Sequence, residues 1–295
     1  MGDQHWIMLK MESMQKALFG GRRPEFWVWQ PGMAKKRTEG YLRRLPFGDF
    51  GGFWEDKRHI RTFNKMFGKG SPMVKKNFCG FDYVIALNQH LALGNRLEEA
   101  LPGCLINWNY TVNRTPAEAK YELALGMDGS PFIVVFFCRH GFYSEWMKRF
   151  NVNRFLFDLH GAFPDHDIII TGREWDVEMG ASLQERQWLV DLTGKTDLDH
   201  LFALFRTARA FVGFPAGNGM LAQHLGTPTL LLWHNHFHQN FWTSWVDPKK
   251  RNTSDQHGIY KAVDVANFHM DEAMEWLRNT DRSQRPVRGV AAPWH

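Results

Sequence analysis

Cysteine is scarce in this chain: Cys79, Cys104 and Cys138 are the three thiols in 295 residues. Thiols so few and so scattered exclude a disulfide framework and a cysteine-built zinc site, and they suit a reducing compartment. Long apolar runs are missing too. No stretch approaches the roughly 18 consecutive apolar residues of a membrane-spanning helix. The opening residues MGDQHWIMLK lack the apolar core and small-residue cleavage pattern of a secretory leader, so the expected compartment is the cytoplasm. Wholesale disorder is excluded as well, because 44% of the residues are hydrophobic and 23% charged, close to folded averages. The length sets an expectation of two domains.

The net charge is a modest +5, but it is unevenly spread. Residues 1–80 hold 16 Lys and Arg against 7 Asp and Glu, whereas the remainder hold 20 against 24. Basic pairs such as Arg22-Arg23, Lys35-Lys36, Arg43-Arg44, Lys57-Arg58 and Lys75-Lys76 alternate with Trp27, Trp29, Tyr41, Phe50, Phe53 and Trp54. Basic groups interleaved with aromatics suit a polyanion, either DNA or a phosphorylated glycan at a membrane surface. Arg22, Arg43 and Trp54 are the candidate contacts for it.

From residue 131 onward, short apolar runs alternate with helical spacing. Pro131–Cys138, Asp167–Thr171, Trp188–Val190, Ala210–Gly213 and Leu230–Trp233 read as strands. Residues 151–163, about 176–187, 197–209 and 217–225 read as helices. That alternation predicts a parallel sheet covered on both faces. Upstream the pattern is weaker. Residues 4–19, 91–100 and a segment starting at Pro116 read as helices, and Glu25–Trp29, Phe81–Leu87 and Cys104–Trp108 as strands. Residues 31–80 read as loops with short elements. The expected class is α/β, with two Rossmann-like domains whose parallel sheets face a central cleft. The expected domains are residues 1–127 and 128–265, with 266–295 a C-terminal helix and tail packing back on the first.

The most informative stretch runs from Val190 to Trp233. Its turn Phe214-Pro-Ala-Gly-Asn-Gly219 joins a buried strand to a helix starting near Gly217. Ala216, Gly217, Asn218 and Gly219 would present free N–H groups to a phosphate or diphosphate. Arg139 follows a strand that ends at the expected cleft and is a second candidate for phosphate contact. Asp197-Leu-Asp199 and Asp165-His-Asp167 have the form of a metal-binding D-x-D, but Asp197 sits where a helix cap is wanted and Asp165 in a Pro-Asp turn. His234, His236 and His238 alternate, yet they follow the fifth strand and read as a loop over the cleft. Contact of His234, Asn235 or His236 with a nucleotide is expected there, and no metal site is expected.

These residues also resemble a known family, the heptosyltransferase-like glycosyltransferases that use ADP-heptose on lipopolysaccharide. Gly194-Lys195-Thr196-Asp197-Leu198, Leu201 and Ala208 match one block of that family. Val212-Gly213, Gly217, Leu221-Ala222, Leu225-Gly226 and Thr227-Pro228-Thr229 match a second. Residues 130–235 carry the resemblance well; Met1-Gly2-Asp3 and Phe81-Asp82-Tyr-Val-Ile85 carry a weaker one. The resemblance implies a GT-B fold whose first domain lacks its first strand. It implies an inverting, metal-independent transferase that takes its sugar from a nucleotide-diphosphate sugar, a co-substrate, and needs no other cofactor. Asp3 would be the catalytic base, and Lys148, Glu178 (or Glu174) and His234 would join the donor site. The acceptor would be a lipopolysaccharide-core-like glycan or a hydroxylated DNA base. Two positions depart from the family: Pro215 replaces its Asp and Met220 its His. These departures keep open a non-catalytic nucleotide-sugar or nucleic-acid binding protein on the same fold.

Overall fold

The computed structural model describes residues 11–28, 35–55, 73–86, 112–127, 129–137, 151–173, 183–214, 216–233, 260–264 and 269–280. The chain parts into two compact units between Asn113 and Arg114. Among the described residues no helix is long and apolar enough to cross a membrane.

The first unit is assembled from short pieces. Helix α1 (Met11–Phe19) buries Met11 and Met14. Strand β1 (Glu25–Val28) is followed by helix α2 (Lys35–Leu42) and strand β2 (Asp49–Phe53). Five of the eight residues in KKRTEGYL, the sequence of α2, are polar or charged, but Thr38, Tyr41 and Leu42 fall on one face and are buried. β1 and β2 pair in parallel, with Glu25 opposite Asp49 and Phe26 opposite Phe50. Strands β3 (Met73–Phe78) and β4 (Phe81–Ala86) form an antiparallel hairpin. β4 falls where the sequence expects a strand at 81–87, but it pairs antiparallel rather than in a parallel sheet, and β3 forms within 31–80, expected to be loops with short elements. The reason is local: Cys79 (φ 54°) and Gly80 (φ 81°) both take positive φ, the two-residue turn that folds neighbouring strands onto each other.

The second unit begins with helix α3 (Pro116–Met127) and continues through β5 (Phe132–Phe136), α4 (Val152–Ala162), β6 (Asp167–Thr171) and β7 (Leu189–Asp191). It then runs through α5 (Leu198–Thr207), β8 (Ala210–Gly213), α6 (Gly217–His224), β9 (Thr229–Trp233), β10 (Tyr260–Asp264) and α7 (Met270–Asn279). The sheet order is β10-β9-β8-β5-β6-β7, and every pairing is parallel. This is the doubly wound order of a Rossmann-like sheet. The expected helix near 176–187 is not seen at 183–187, and 174–182 lie outside the described residues.

All residues of β5 and β8 are buried, as strands covered on both faces must be. Ile133, Val135, Ile168, Ile170, Val212 and Leu232 join Phe155, Leu156 and Leu159 of α4 in one core. Ala273, Met274 and Leu277 of α7 lie in that same core. The sequence expectation sends this helix back across the first domain. Its apolar face lies in the core of the second unit, where Arg209 Nη2 donates to the Leu277 carbonyl at 3.0 Å and the Arg278 carbonyl at 3.2 Å. The opposite face is covered by α5 and α6, with Phe205 edge-on to Phe211.

α3 rests on α5 through charge. Glu118 is fully buried and pairs with Arg206, which also lies 3.8 Å from Glu122. Glu122 pairs in turn with Arg114 at 3.2 Å. Thr115 Oγ1 accepts from the Glu118 N–H at 3.1 Å and donates to Asp199. Tyr121 stacks on His200 at 4.6 Å and donates its hydroxyl to Asp197 at 3.1 Å. That bond, with the charge of Asp197, raises the Tyr121 pKa. The outward side of α3 is apolar, with Leu123 65% and Met127 73% exposed.

Removing one partner of a buried pair strands the other. Glu118→Ala is therefore expected to cost about 3 kcal/mol in urea unfolding, and Glu118→Leu combined with Arg206→Leu to recover most of it. Burial lowers the pKa of His200, and burial with the Arg209 charge lowers that of His166. Their folded pKa values thus lie below the unfolded ones, so the unfolded chain takes up more protons. Stability is expected to fall as pH drops below about 6.5 and to level off once the folded pKa values are passed. His166→Gln with His200→Gln should flatten that slope in a plot of melting temperature against pH.

Candidate functional site

In an open parallel sheet a ligand binds beyond the carboxyl ends of the strands, where the strand order reverses. Here the reversal falls between β5 and β8, which are neighbours although the chain visits β6 and β7 between them. The site is therefore set by the residues just beyond Phe136 and Gly213. Gly213 brings the two strands to backbone contact: a Cβ built on it would lie 2.4 Å from the Phe136 carbonyl oxygen. Phe214 is buried, and its N–H donates to the same carbonyl at 3.1 Å. The chain then turns through Ala216, extended at φ −152° and ψ 174°, into α6.

Ala216, the N-cap of α6, makes no side-chain cap bond, and the first turn of the helix holds no acidic residue. Its opening N–H groups belong to Gly217, Asn218 and Gly219, which are partly or fully buried. A Cβ on Gly219 would lie 2.7 Å from Leu231 Cδ2, so glycine seats the helix against β9. At its far end α6 closes with the Gly226 N–H on the Gln223 carbonyl at 2.8 Å and the Thr227 N–H on the Ala222 carbonyl at 2.9 Å. The helix is thus satisfied at its C-terminus, while its N-terminus carries the positive end of the helix dipole, the end that favours negative charge. Ala216 is the N-cap of α6, and Gly217, Asn218 and Gly219 form its first turn.

The other donor-site candidates, Arg139, Lys148, Glu174, Glu178 and His234, lie outside the described residues, as do Asp3, Pro215 and the remaining histidines of 234–238. The acidic D-x-D look-alike at 197–199 has structural duties: Asp197 accepts from the His200 N–H at 2.7 Å as the cap of α5, and Asp199 accepts from Thr115.

The acceptor candidates are all in the first unit. Arg22 is exposed and donates to the Phe19 carbonyl at 3.3 Å. Arg43 pairs with Glu39 at 2.7 Å and lies 5.5 Å over the Phe50 ring. Trp54 is half-buried, edge-on to Phe81 at 5.5 Å. Arg23 pairs with Asp49 at 2.9 Å, and Lys35 pairs with Glu55, whose carboxyl pKa the lysine lowers. Part of the basic surplus of residues 1–80 is therefore matched within the unit. Sequence reasoning misses these pairings because their partners lie 20 and 26 residues apart.

No family model matches the chain, and no curated protein matches it. Solved structures do. A glycosyl transferase family 9 protein from Veillonella parvula is 12% identical, with 90% of this chain and 83% of that one covered at a TM-score of 0.57. ADP-heptose lps heptosyltransferase II of E. coli is 16% identical over 61% of this chain at a TM-score of 0.43. The match spans 55% of that enzyme's length. A UDP-GlcNAc 2-epimerase from Methanocaldococcus jannaschii, solved with UDP-GlcNAc and UDP, is 13% identical at a TM-score of 0.41, over 65% of this chain and 53% of that one. The chain is thus a mixed α/β protein with parallel sheets. More particularly, it shares the fold of the glycosyl transferase family 9 protein from Veillonella parvula.

The two glycines make separable predictions. Gly213→Ala sets a methyl against a carbonyl that cannot rotate away, and is expected to cost at least the upper end of about 1–3 kcal/mol. Gly219→Ala meets only the end of a leucine and gains about 1 kcal/mol in helix propensity, so its net cost should stay below about 1 kcal/mol. Urea unfolding curves of the two variants check the order.

Proposed function

We propose that this protein is a glycosyltransferase that holds a nucleotide-diphosphate sugar at the reversal point of its second unit. The observation that carries this reading is the uncapped, acid-free start of α6 beside the bare backbone of Gly213. The shared fold supports it. In the inverting reaction the acceptor hydroxyl oxygen attacks C1 of the sugar from the face opposite the diphosphate. The C1–O bond to the diphosphate breaks, its electron pair leaves on the phosphate oxygen, and the acceptor proton passes to a base. Charge therefore builds on the leaving diphosphate, and preorganised donors there lower the barrier. The N–H groups of Gly217–Gly219, with Lys148, Arg139 and Glu178 around the nucleotide and sugar, would form that cradle without a metal. His234 would contact the nucleotide, and Asp3 would take the proton.

The acceptor we propose is a phosphorylated glycan of the lipopolysaccharide-core kind, approached through Arg22, Arg43 and Trp54. Pro215 and Met220 support a second reading, a nucleotide-sugar binder without turnover, since both replace residues the family places near the donor.

Asn218→Asp tests the cradle, because it moves stability and binding in opposite directions. A carboxylate in the first turn of a helix stabilises it by about 0.3–1 kcal/mol. The same charge repels a diphosphate, so nucleoside-diphosphate affinity by isothermal titration is expected to fall at least tenfold. Equal affinity in the variant would place the diphosphate elsewhere. Hydrolysis or transfer of the bound sugar separates the enzyme from the binder. Retention on immobilised DNA that falls steeply with salt would favour the nucleic-acid acceptor instead.

A further inference from the structure

We infer that Trp27 is a fixed stacking platform for a pyranose ring of the acceptor. Trp27 stands on the outer face of the β1–β2 pair with 45% of its surface exposed. Large exposed aromatics are uncommon, and this one is held in place from two sides. Beneath it lie two consecutive glycines. A Cβ on Gly51 would come within 2.6 Å of the indole Nε1, and one on Gly52 within 2.8 Å of Cζ3. The ring therefore lies on bare backbone that no other residue pair would leave open. At its edge, Nε1 donates to Glu25 Oε1 at 2.7 Å. Pairing Trp27 with Gly52 across the strands, where Gly51 is the extra residue of a bulge in β2, completes the seat. An indole fixed in this way loses little freedom when a ligand covers its outer face.

The charges around the platform select the ligand. Glu25 is an exposed carboxylate at the ring edge. Asp49, opposite Glu25 in the register, is matched by Arg23. Lys35 is matched by Glu55 and lies over Phe53, which pairs with Val28. Among the described residues the surroundings of Trp27 are thus neutral to acidic, although the segment as a whole is basic. A phosphodiester backbone would meet Glu25 as a like charge. A sugar ring presents an apolar C–H face to the indole and hydroxyl donors to the carboxylate. Trp27 and Glu25 together assign this face to a carbohydrate, with phosphates of the glycan reaching the basic groups elsewhere on the unit. That the sugar is an acceptor rests on the glycosyltransferase reading above; the stacking does not.

The test uses the full chain labelled with 5-fluorotryptophan, the Trp27 resonance being identified by its loss in Trp27→Phe. Core oligosaccharide released from lipopolysaccharide by mild acid is added before and after phosphatase treatment, and short oligo-dT in parallel. Both oligosaccharides are expected to move the Trp27 resonance. Trp27→Leu, which still covers the glycine pair, is expected to bind them at least tenfold more weakly while melting at the wild-type temperature. An unmoved resonance, unchanged affinity in Trp27→Leu, or a response to oligo-dT alone would overturn the assignment. Nucleoside-diphosphate titration of the same sample reads the donor site separately, so a failure there is not mistaken for a failure here.

Discussion

A parallel sheet covered by helices on both faces hides its backbone everywhere except at the strand ends. The second unit is organised around that constraint. β5 and β8 are buried throughout, so their polar groups can meet a ligand only where they stop. The order of the strands then decides which ends matter, because only at the reversal do two adjacent connections diverge and leave a crevice. Gly213 and the start of α6 occupy that position. The apolar residues of α4, α7, α5 and α6 serve the site indirectly, by holding the sheet that creates the crevice.

A second arrangement inverts the usual helix pattern. α3 turns Glu118, Tyr121 and Glu122 inward and Leu123 and Met127 outward. Its seat on α5 is a network of matched charges and hydrogen bonds running from Arg114 to Asp199. Such contacts demand specific partners at specific distances, whereas an apolar seam tolerates sliding. The first helix of the second unit is thereby fixed in register on α5 without drawing on the hydrophobic core.

Much of the second unit is legible in the sequence, and the reason is physical. β5, β6, β8 and β9 are apolar runs between turn residues, and α4 and α5 show strong apolar stripes. The turn 214–219 announces itself by its glycines. β10 is not legible, because Tyr260-Lys-Ala-Val-Asp264 has no apolar run and forms only alongside β9. The first unit is harder. Its strands pair only two by two, so no run of buried positions marks them. β3, which reads Met-Val-Lys-Lys-Asn-Phe, looks like a basic loop until β4 folds onto it. The ion pairs Arg23–Asp49, Lys35–Glu55 and Glu118–Arg206 join distant residues, and Trp27 acquires meaning only when Gly51 and Gly52 are found beneath it.

The floor at the strand reversal is made of peptide groups. Peptide groups are the same in every sequence, so the donors of Gly217–Gly219 do not depend on which side chains surround them. Changing the side chains around them alters what else can be gripped, while the N–H groups and the dipole of α6 persist. A site of this kind is inherited with the course of the backbone, and it can outlast the sequence that first built it. A chain with 12% identity to a solved relative can share its fold. In that situation side chains are free to drift at the rim while the peptide groups at the strand reversal keep their places.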